Sequence, residues 1–562
     1  MPSFQIHAGA LAVAYARALA RLEDVRFADA LWTRQLDVWS GDESTRQKIA
    51  NRLGWLAAID VVEPQVPRLL AFGEAIRSEG FSDVVLLGMG GSSLAPEVLR
   101  TVFGVAAGYP RFRVLDSVDP DAVRAAMAHA ETSLFVVASK SGTTIEPHTM
   151  AAEARRRVEA AGHARWGARF AAITDDGTEL HRRAVADGFR EVFINPADIG
   201  GRYSALSLFG IVPAALMGID IASLISSARQ MESACRGAAP AQNPGLALGA
   251  IMAAGAQAGR DKLTLRLPPA LGSFGLWVDQ LVAECTGKHG RGVVPISSDP
   301  PAARVGADRT VVVVTVGDPA RADGEVDRAR AAGAPVAHLW MDDASALGGE
   351  FLRWEIATAT AGMLMAINPF DEPNVQQAKD ATRALLAGYE RDGRLPIAEA
   401  HASAEGARVT LSDAAQQDLA GDSPDAFLCV LRPADYLAVL AFLSPEEPRT
   451  AEILRGFCDQ IAVDTGCVTM LGYGPRYLHS TGQLHKGGAN NGVFLVVTAA
   501  PADDLAIPGE RFSFGVLEMA QAVGDFQSLD RAGRRALHLH LPRRDPDLLQ
   551  RLLARLSERQ RR

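Results

Sequence analysis

Residues 84–99 read VVLLGMGGSSLAPEVL, an apolar run that passes through Gly88-Met89-Gly90-Gly91-Ser92-Ser93 and opens into a helical pattern. The run is short enough for a buried strand. The turn between them carries no bulky side chain. Either the backbone bends sharply there, or something anionic approaches amides that sit at a helix N-terminus.

Outward from this stretch the same alternation repeats. Apolar runs FRVLDS (112–117), LFVVASK (134–140), FAAITDD (170–176) and EVFINP (191–196) alternate with helical stretches. A second set follows in DKLTLRLP (261–268), RTVVVVTVGD (309–318) and PVAHLWM (335–341). Strand–helix alternation predicts an α/β chain of doubly wound, mostly parallel sheet lobes. Residues 1–75 read as a helical N-terminal segment, 76–235 as a first lobe, 236–390 as a second, and 391–562 as an α/β C-terminal extension. The Ala-rich segment 205–260 reads as helical packing between lobes. Within the extension, 391–425 looks like a linker, and AFLCVLRP, VFLVVTA and ALHLHLP read as strands.

The bulk numbers agree with a soluble globular enzyme: 562 residues, 48% hydrophobic and 22% charged. A formal charge of −9 argues against nucleic acid, whose binding rests on a basic surface. No stretch approaches the apolar length of a membrane span, and the N-terminus has polar interruptions where a signal peptide would be apolar. A cytoplasmic protein is expected. The five cysteines, Cys235, Cys285, Cys429, Cys458 and Cys467, form no CxxC pair, so free thiols and no structural metal are expected.

In open α/β sheets ligands bind beyond the carboxyl ends of strands, so the turns after strands carry the chemistry. The second such turn is Ser139-Lys140-Ser141-Gly142-Thr143-Thr144, four hydroxyls and one cation in six residues. That is the composition of a phosphate cup. Each loop alone has an ordinary explanation in tight turns and N-caps. Gly88 and Gly90 also match two glycines of a dinucleotide fingerprint, with Ser93 in place of the third and Asp116 as the ribose acid. A small phosphorylated ligand accounts for both loops together. Four further stretches add polar groups: Gly200-Gly201-Arg202-Tyr203-Ser204; the helix ending GLWVDQLVAECTGK, with Glu284 in its last turns; the segment from Asn368 to Lys379; and GPRYLHSTGQLHKGG, with His479, His485 and Lys486. Partial burial and the negative end of the helix dipole would raise the pKa of Glu284 toward that of a general base. Two histidines six apart lack a third ligand at a metal-binding spacing.

Together these stretches resemble phosphoglucose isomerase. The motifs are GMGGS, SKSGTT, GGRYS, QLVAECTGK and NPFDEPNVQQAK, in the family's order over about residues 80–380. With the YLHSTGQLHKGG tail, the wording is similar to the isomerase half of bifunctional transaldolase/phosphoglucose isomerase proteins. About 75 residues precede the first predicted sheet, so no transaldolase barrel is expected. The resemblance implies two SIS-type sugar-phosphate lobes, a site between them, and a homodimer. It implies that Ser92, Ser139, Lys140, Ser141, Thr143 and Thr144 hold a substrate phosphate, with Gly91 letting the sugar approach. Arg202 would stabilise an enediolate, Glu284 would move a proton between C2 and C1, and Lys379 would assist at the ring oxygen or hydroxyls.

The implied reaction interconverts glucose 6-phosphate and fructose 6-phosphate through a cis-enediol, with no metal and no redox cofactor. Another sugar phosphate such as mannose 6-phosphate, a non-catalytic sugar-phosphate sensor, and a nicotinamide-dependent oxidoreductase are the competing readings. Two departures stand out. The family's ring-opening histidine lies in a segment resembling LHSxGQ between glutamate and lysine, whereas here that wording occurs at Leu478–Gln483. His479 is therefore the expected ring-opening group, with His289 and His485 behind it. Asn374 and Gln376 stand where the family tends to show Gly and Glu.

Overall fold

The computed structural model describes residues 3–237, 239–397 and 400–560. Three sheets carry the chain. The first orders its strands Arg111–Leu115, Asp83–Gly88, Ser133–Ala138, Phe170–Asp175 and Glu191–Asn195, all parallel. The three central strands are buried along their whole length, so they read as continuous apolar runs and not as an alternation. In chain order this is a 2-1-3-4-5 sheet. Its winding reverses between Asp83–Gly88 and Ser133–Ala138, where the glycine turn and the hydroxyl-rich loop emerge side by side.

The second sheet orders Ser3–His7, Val336–Met341, Arg309–Val316, Lys262–Arg266 and Val294–Ile296. Its four parallel strands repeat the same 2-1-3-4 winding, and Ser3–His7 closes the edge antiparallel to Val336–Met341. The N-terminal segment is thus helical apart from its first strand. Phe4 and Ile6 alternate with polar residues as a strand at a sheet edge requires. Helices Leu208–Leu216, Ile221–Arg236 and Pro244–Gln257 follow the first lobe as expected. The last two pack on helix Leu347–Leu364, which is buried on all sides.

The C-terminal residues differ more from expectation. Ala426–Pro433 is no strand: Pro424–Val430 forms a 3-10 helix, capped by the Ser423 hydroxyl accepting from the Asp425 amide. The strand comes next, at Tyr436–Phe442, buried at every position. Nor is 391–425 a plain linker, because it contains strands Ala402–Ala404 and Ala407–Leu411 and helix Asp413–Leu419. The third sheet orders Ala402–Ala404, Ala407–Leu411, Arg535–Leu541, Gly492–Ala499, Tyr436–Phe442 and Val468–Tyr473. Its four parallel strands again wind 2-1-3-4, with an antiparallel strand on the fourth, as in the second sheet. Among the described residues no helix is long and apolar enough to cross a membrane.

Candidate active site

A cleft of about 530 Å³ opens at the reversal point of the first sheet. The glycine turn forms its floor. Gly90 has φ of +55°, a left-handed bend that suits glycine. A Cβ on Gly90 would lie 2.7 Å from the His479 carbonyl oxygen and 2.9 Å from the Gln280 amide nitrogen. A Cβ on Gly91 would lie 1.9 Å from the Gly201 carbonyl oxygen. The turn is bare because it bends and because three other segments of the protein press against it.

The second loop forms the next wall. Ser139, Lys140, Ser141 and Thr144 face the cleft with Ser92. The Ser139 hydroxyl accepts from the Gly142 amide at 3.1 Å and shapes the loop before helix Ile145–Ala160. The Lys140 ammonium donates to Asp175 and, at 2.7 Å, to the Ala197 carbonyl. Thr143 is exposed, and its hydroxyl lies 3.1 Å from that of Ser141. The structure does not bring Thr143 to the cleft wall.

Arg202 is buried on the turn Gly201–Tyr203, and every nitrogen of its guanidinium has a partner. Nη1 meets Glu284 Oε1 at 2.8 Å and Glu372 Oε2 at 3.0 Å. Nη2 donates to the carbonyls of Pro369 and Asp371, and Nε donates to Cys285 Sγ at 3.1 Å. Glu284 sits in the last turns of helix Phe274–Thr286 and is 8% exposed. Burial pushes its pKa up, the Arg202 charge pulls it down, and the neighbouring Glu372 carboxylate adds an upward push. Lys288 does not pair with it. The Lys288 ammonium donates instead to Asp371 at 2.8 Å and to the Asn368 carbonyl at 2.6 Å.

His479 reaches the cleft from the far end of the chain. Its carbonyl accepts from Gln280 Nε2 at 2.6 Å, and its Nε2 lies 2.9 Å from Glu146 Oε1. Glu146 is buried in the first turn of helix Ile145–Ala160 and also accepts from Gln521 at 2.7 Å. Burial alone would raise the Glu146 pKa, but His479 and Lys379 together hold it below the usual range. The other two histidines lie elsewhere. His289 is exposed, and His485 is buried against Tyr436 and Phe494. Lys379 is half-buried on helix Pro373–Asp392 and lines the cleft.

Asp116, the residue considered for a ribose, is taken up in a two-bond pair with Arg476 at 2.7 and 2.8 Å. Asn374 is locked to Gln483, which donates to its side chain at 2.8 Å and accepts from its backbone amide at 2.9 Å. The side chain of Gln376 lies outside those described. Sequence reasoning assigned no role to Glu146, Gln280, Glu372, Asp175 or Gln521. Glu146 stands directly after the hydroxyl-rich loop, where a carboxylate at a helix start ordinarily signals only a favourable dipole.

The family model for phosphoglucose isomerase matches residues 70–294. The glucose-6-phosphate isomerase of Parasynechococcus marenigrum is 33% identical over 297 residues, 51% of this chain and 52% of that protein. A probable glucose-6-phosphate isomerase of Haloarcula marismortui is 31% identical over 360 residues, 56% of this chain and 80% of its relative. The chain thus spans about half the length of the cyanobacterial relatives it matches and most of the archaeal one. Two crystal structures share the fold. A hypothetical protein of Thermus thermophilus superposes with a TM-score of 0.60 at 22% identity, covering 69% of this chain and all of that one. A glucose-6-phosphate isomerase of Chlamydia trachomatis does so with 0.53 at 18% identity, covering 67% and 86%. With its motifs in order around one cleft and an archaeal relative matched over most of its length, the chain belongs to the phosphoglucose isomerase family.

Proposed function

We propose that the chain is an aldose–ketose isomerase that interconverts glucose 6-phosphate and fructose 6-phosphate through a cis-enediol. The observation that carries this reading is a single cleft holding a buried Glu284–Arg202 pair, a His479–Glu146 pair and a loop of hydroxyls. Ser92, Ser139, Ser141 and Thr144, with the amides at the start of helix Ile145–Ala160, offer donors for a phosphate dianion. Lys140 adds a positive charge beside them. His479, oriented by Glu146, moves a proton between the ring oxygen and the C1 hydroxyl as the ring opens, and Lys379 lies on the same wall.

Glu284 then takes the C2 proton. The electron pair of the C–H bond forms the C1–C2 double bond as the carbonyl π pair moves onto its oxygen, and the resulting enediolate is negative where the Arg202 guanidinium is positive. A proton passes from the C2 hydroxyl to the C1 oxygen, and returning the carbon-bound proton to C1 completes the isomerisation. A base with a raised pKa keeps the proton poised between carbon and carboxylate. The same reading carries cytoplasmic sugar phosphate as substrate and a homodimer in solution, the latter checked by sedimentation equilibrium.

The test is conversion of fructose 6-phosphate in deuterated water with a metal chelator present. Glucose 6-phosphate labelled at C2 is the expected product. Glu284→Gln should lower both turnover and labelling by about a thousandfold, within the range of a lost general base. Tight binding of the sugar phosphate without label uptake would instead leave a sensor.

A further inference from the structure

A second chamber, of about 330 Å³, lies on the other side of the segment that delivers His479. His479 faces the cleft, while its neighbours Tyr477, Ser480 and Thr481 line the chamber. The chamber sits where two sheets present carboxyl ends: Tyr436–Phe442 and Val468–Tyr473 of the third sheet, and Val294–Ile296 of the second. Such ends are where open α/β sheets take ligands.

Three buried polar atoms of its lining have no hydrogen-bond partner: His485 Nε2, Asp279 Oδ1 and Tyr473 Oη. His485 is 1% exposed, and its other ring nitrogen is already bonded to the Tyr436 hydroxyl at 3.1 Å. Burial keeps its ring neutral. Asp279 accepts from the Ser297 hydroxyl at 2.6 Å through one oxygen only. A buried polar atom left unsatisfied is costly, and three of them around one cavity point to a polar occupant. Arg455 is exposed at the chamber wall, and its charge acts on Asp459 and Tyr473 of the same lining. Leu440 and Met470 supply an apolar floor.

We propose that this chamber is a second ligand site, for a small hydroxylated anion. Arg455 takes the charged group, His485, Asp279 and Tyr473 take hydroxyls, and Leu440 and Met470 cover the carbon skeleton. The anion is a carboxylate or a phosphate on a polyol. The reading is independent of the isomerase reaction, because none of these side chains faces the catalytic cleft.

Calorimetric titration of the full chain with D-gluconate and, separately, with glycerol 3-phosphate tests it. Binding of one of them at a single site is expected, and which one binds identifies the charged group. Tyr473→Phe and Arg455→Gln should each weaken that binding by about tenfold or more. Lys140→Ala, in the catalytic cleft, should leave it unchanged. Circular dichroism melts matching the parent chain separate a lost contact from a lost fold. No heat with either compound at millimolar concentration overturns the proposal, as does binding that Lys140→Ala abolishes and Tyr473→Phe does not touch.

Discussion

At the scale of single residues, the proposed chemistry rests on Glu284, whose basicity is a balance of burial and two charged neighbours. Burial and Glu372 raise its pKa, and Arg202 lowers it. Glu372 is partly exposed and shares Arg202 at 3.0 Å, so it is the member that can be removed without opening the interior. Glu372→Gln takes away a like charge and leaves Arg202 wholly to Glu284, and both changes favour the ionised carboxylate. The acid limb of kcat/KM is expected to move to lower pH, with the fold retained, in a pH–rate profile. A limb that stays in place or rises would remove Glu284 as the group it reports. Much of this was legible in sequence, because the loop hydroxyls, Arg202 and Glu284 belong to short contiguous motifs. Glu146 was not. A glutamate at a helix start looks like a dipole partner until His479 and Gln521 arrive from elements far along the chain.

At the scale of elements, the Gly90–Gly91 turn works as a junction and not only as a ligand floor. It seats the Gly201–Tyr203 turn, the Gln280 side chain and the His479 backbone within contact of one another. A methyl at Gly91 must displace the Gly201 carbonyl, 1.9 Å from its ideal position, and Arg202 moves with it. Gly91→Ala is therefore expected to lower turnover about a hundredfold, the effect of misplacing a catalytic group by about an ångström. The check is steady-state kinetics beside a thermal melt. Unchanged kinetics would show that the turn yields without moving Arg202. Elements of the first two sheets were readable because strands buried on both faces are continuous apolar runs. Tyr436–Phe442 was displaced by one element in the sequence reading. Its run YLAVLAF and the preceding AFLCVL are equally apolar, and only the cap at Ser423 before Pro424, which starts the latter as a 3-10 helix, distinguishes them.

At the scale of the whole molecule, three sheets with the same winding converge on one cleft. The first builds its floor and the hydroxyl-rich loop. Helix Phe274–Thr286, packed on the second, brings Glu284, and the third region sends back His479 and Gln521. The returning segment is fastened to the first sheet by the Arg476–Asp116 pair. Removing one partner would leave a buried charge, so the informative variant is the double one, Arg476→Gln with Asp116→Asn. It is expected to slow turnover of the cyclic sugar by about tenfold, less than outright loss of an acid–base group would cost. Proton exchange on an aldose phosphate too short to close a ring should change little. Equal losses on both substrates would mean that the pair supports the entire cleft and not His479 in particular.

The amino-acid sequence by itself determined the α/β class, the hydroxyl-rich loop, the arginine turn and the glutamate helix. Each depends on periodicity or on residues within one turn of each other, where local backbone geometry decides the outcome. Only the tertiary structure decided which histidine enters the cleft and that Glu146 faces it. It also decided that the glycines are bare chiefly because protein backbone presses on them. The antiparallel edge strands of the second and third sheets were likewise invisible, since edge pairing is set by which strand lies exposed after the sheet has formed. The glycine turn, the His479–Glu146 pair and the seating of Ser3–His7 and Ala407–Leu411 on their sheets join segments more than a hundred residues apart. No local pattern encodes them, because the interaction that fixes them exists only once burial has brought the segments together.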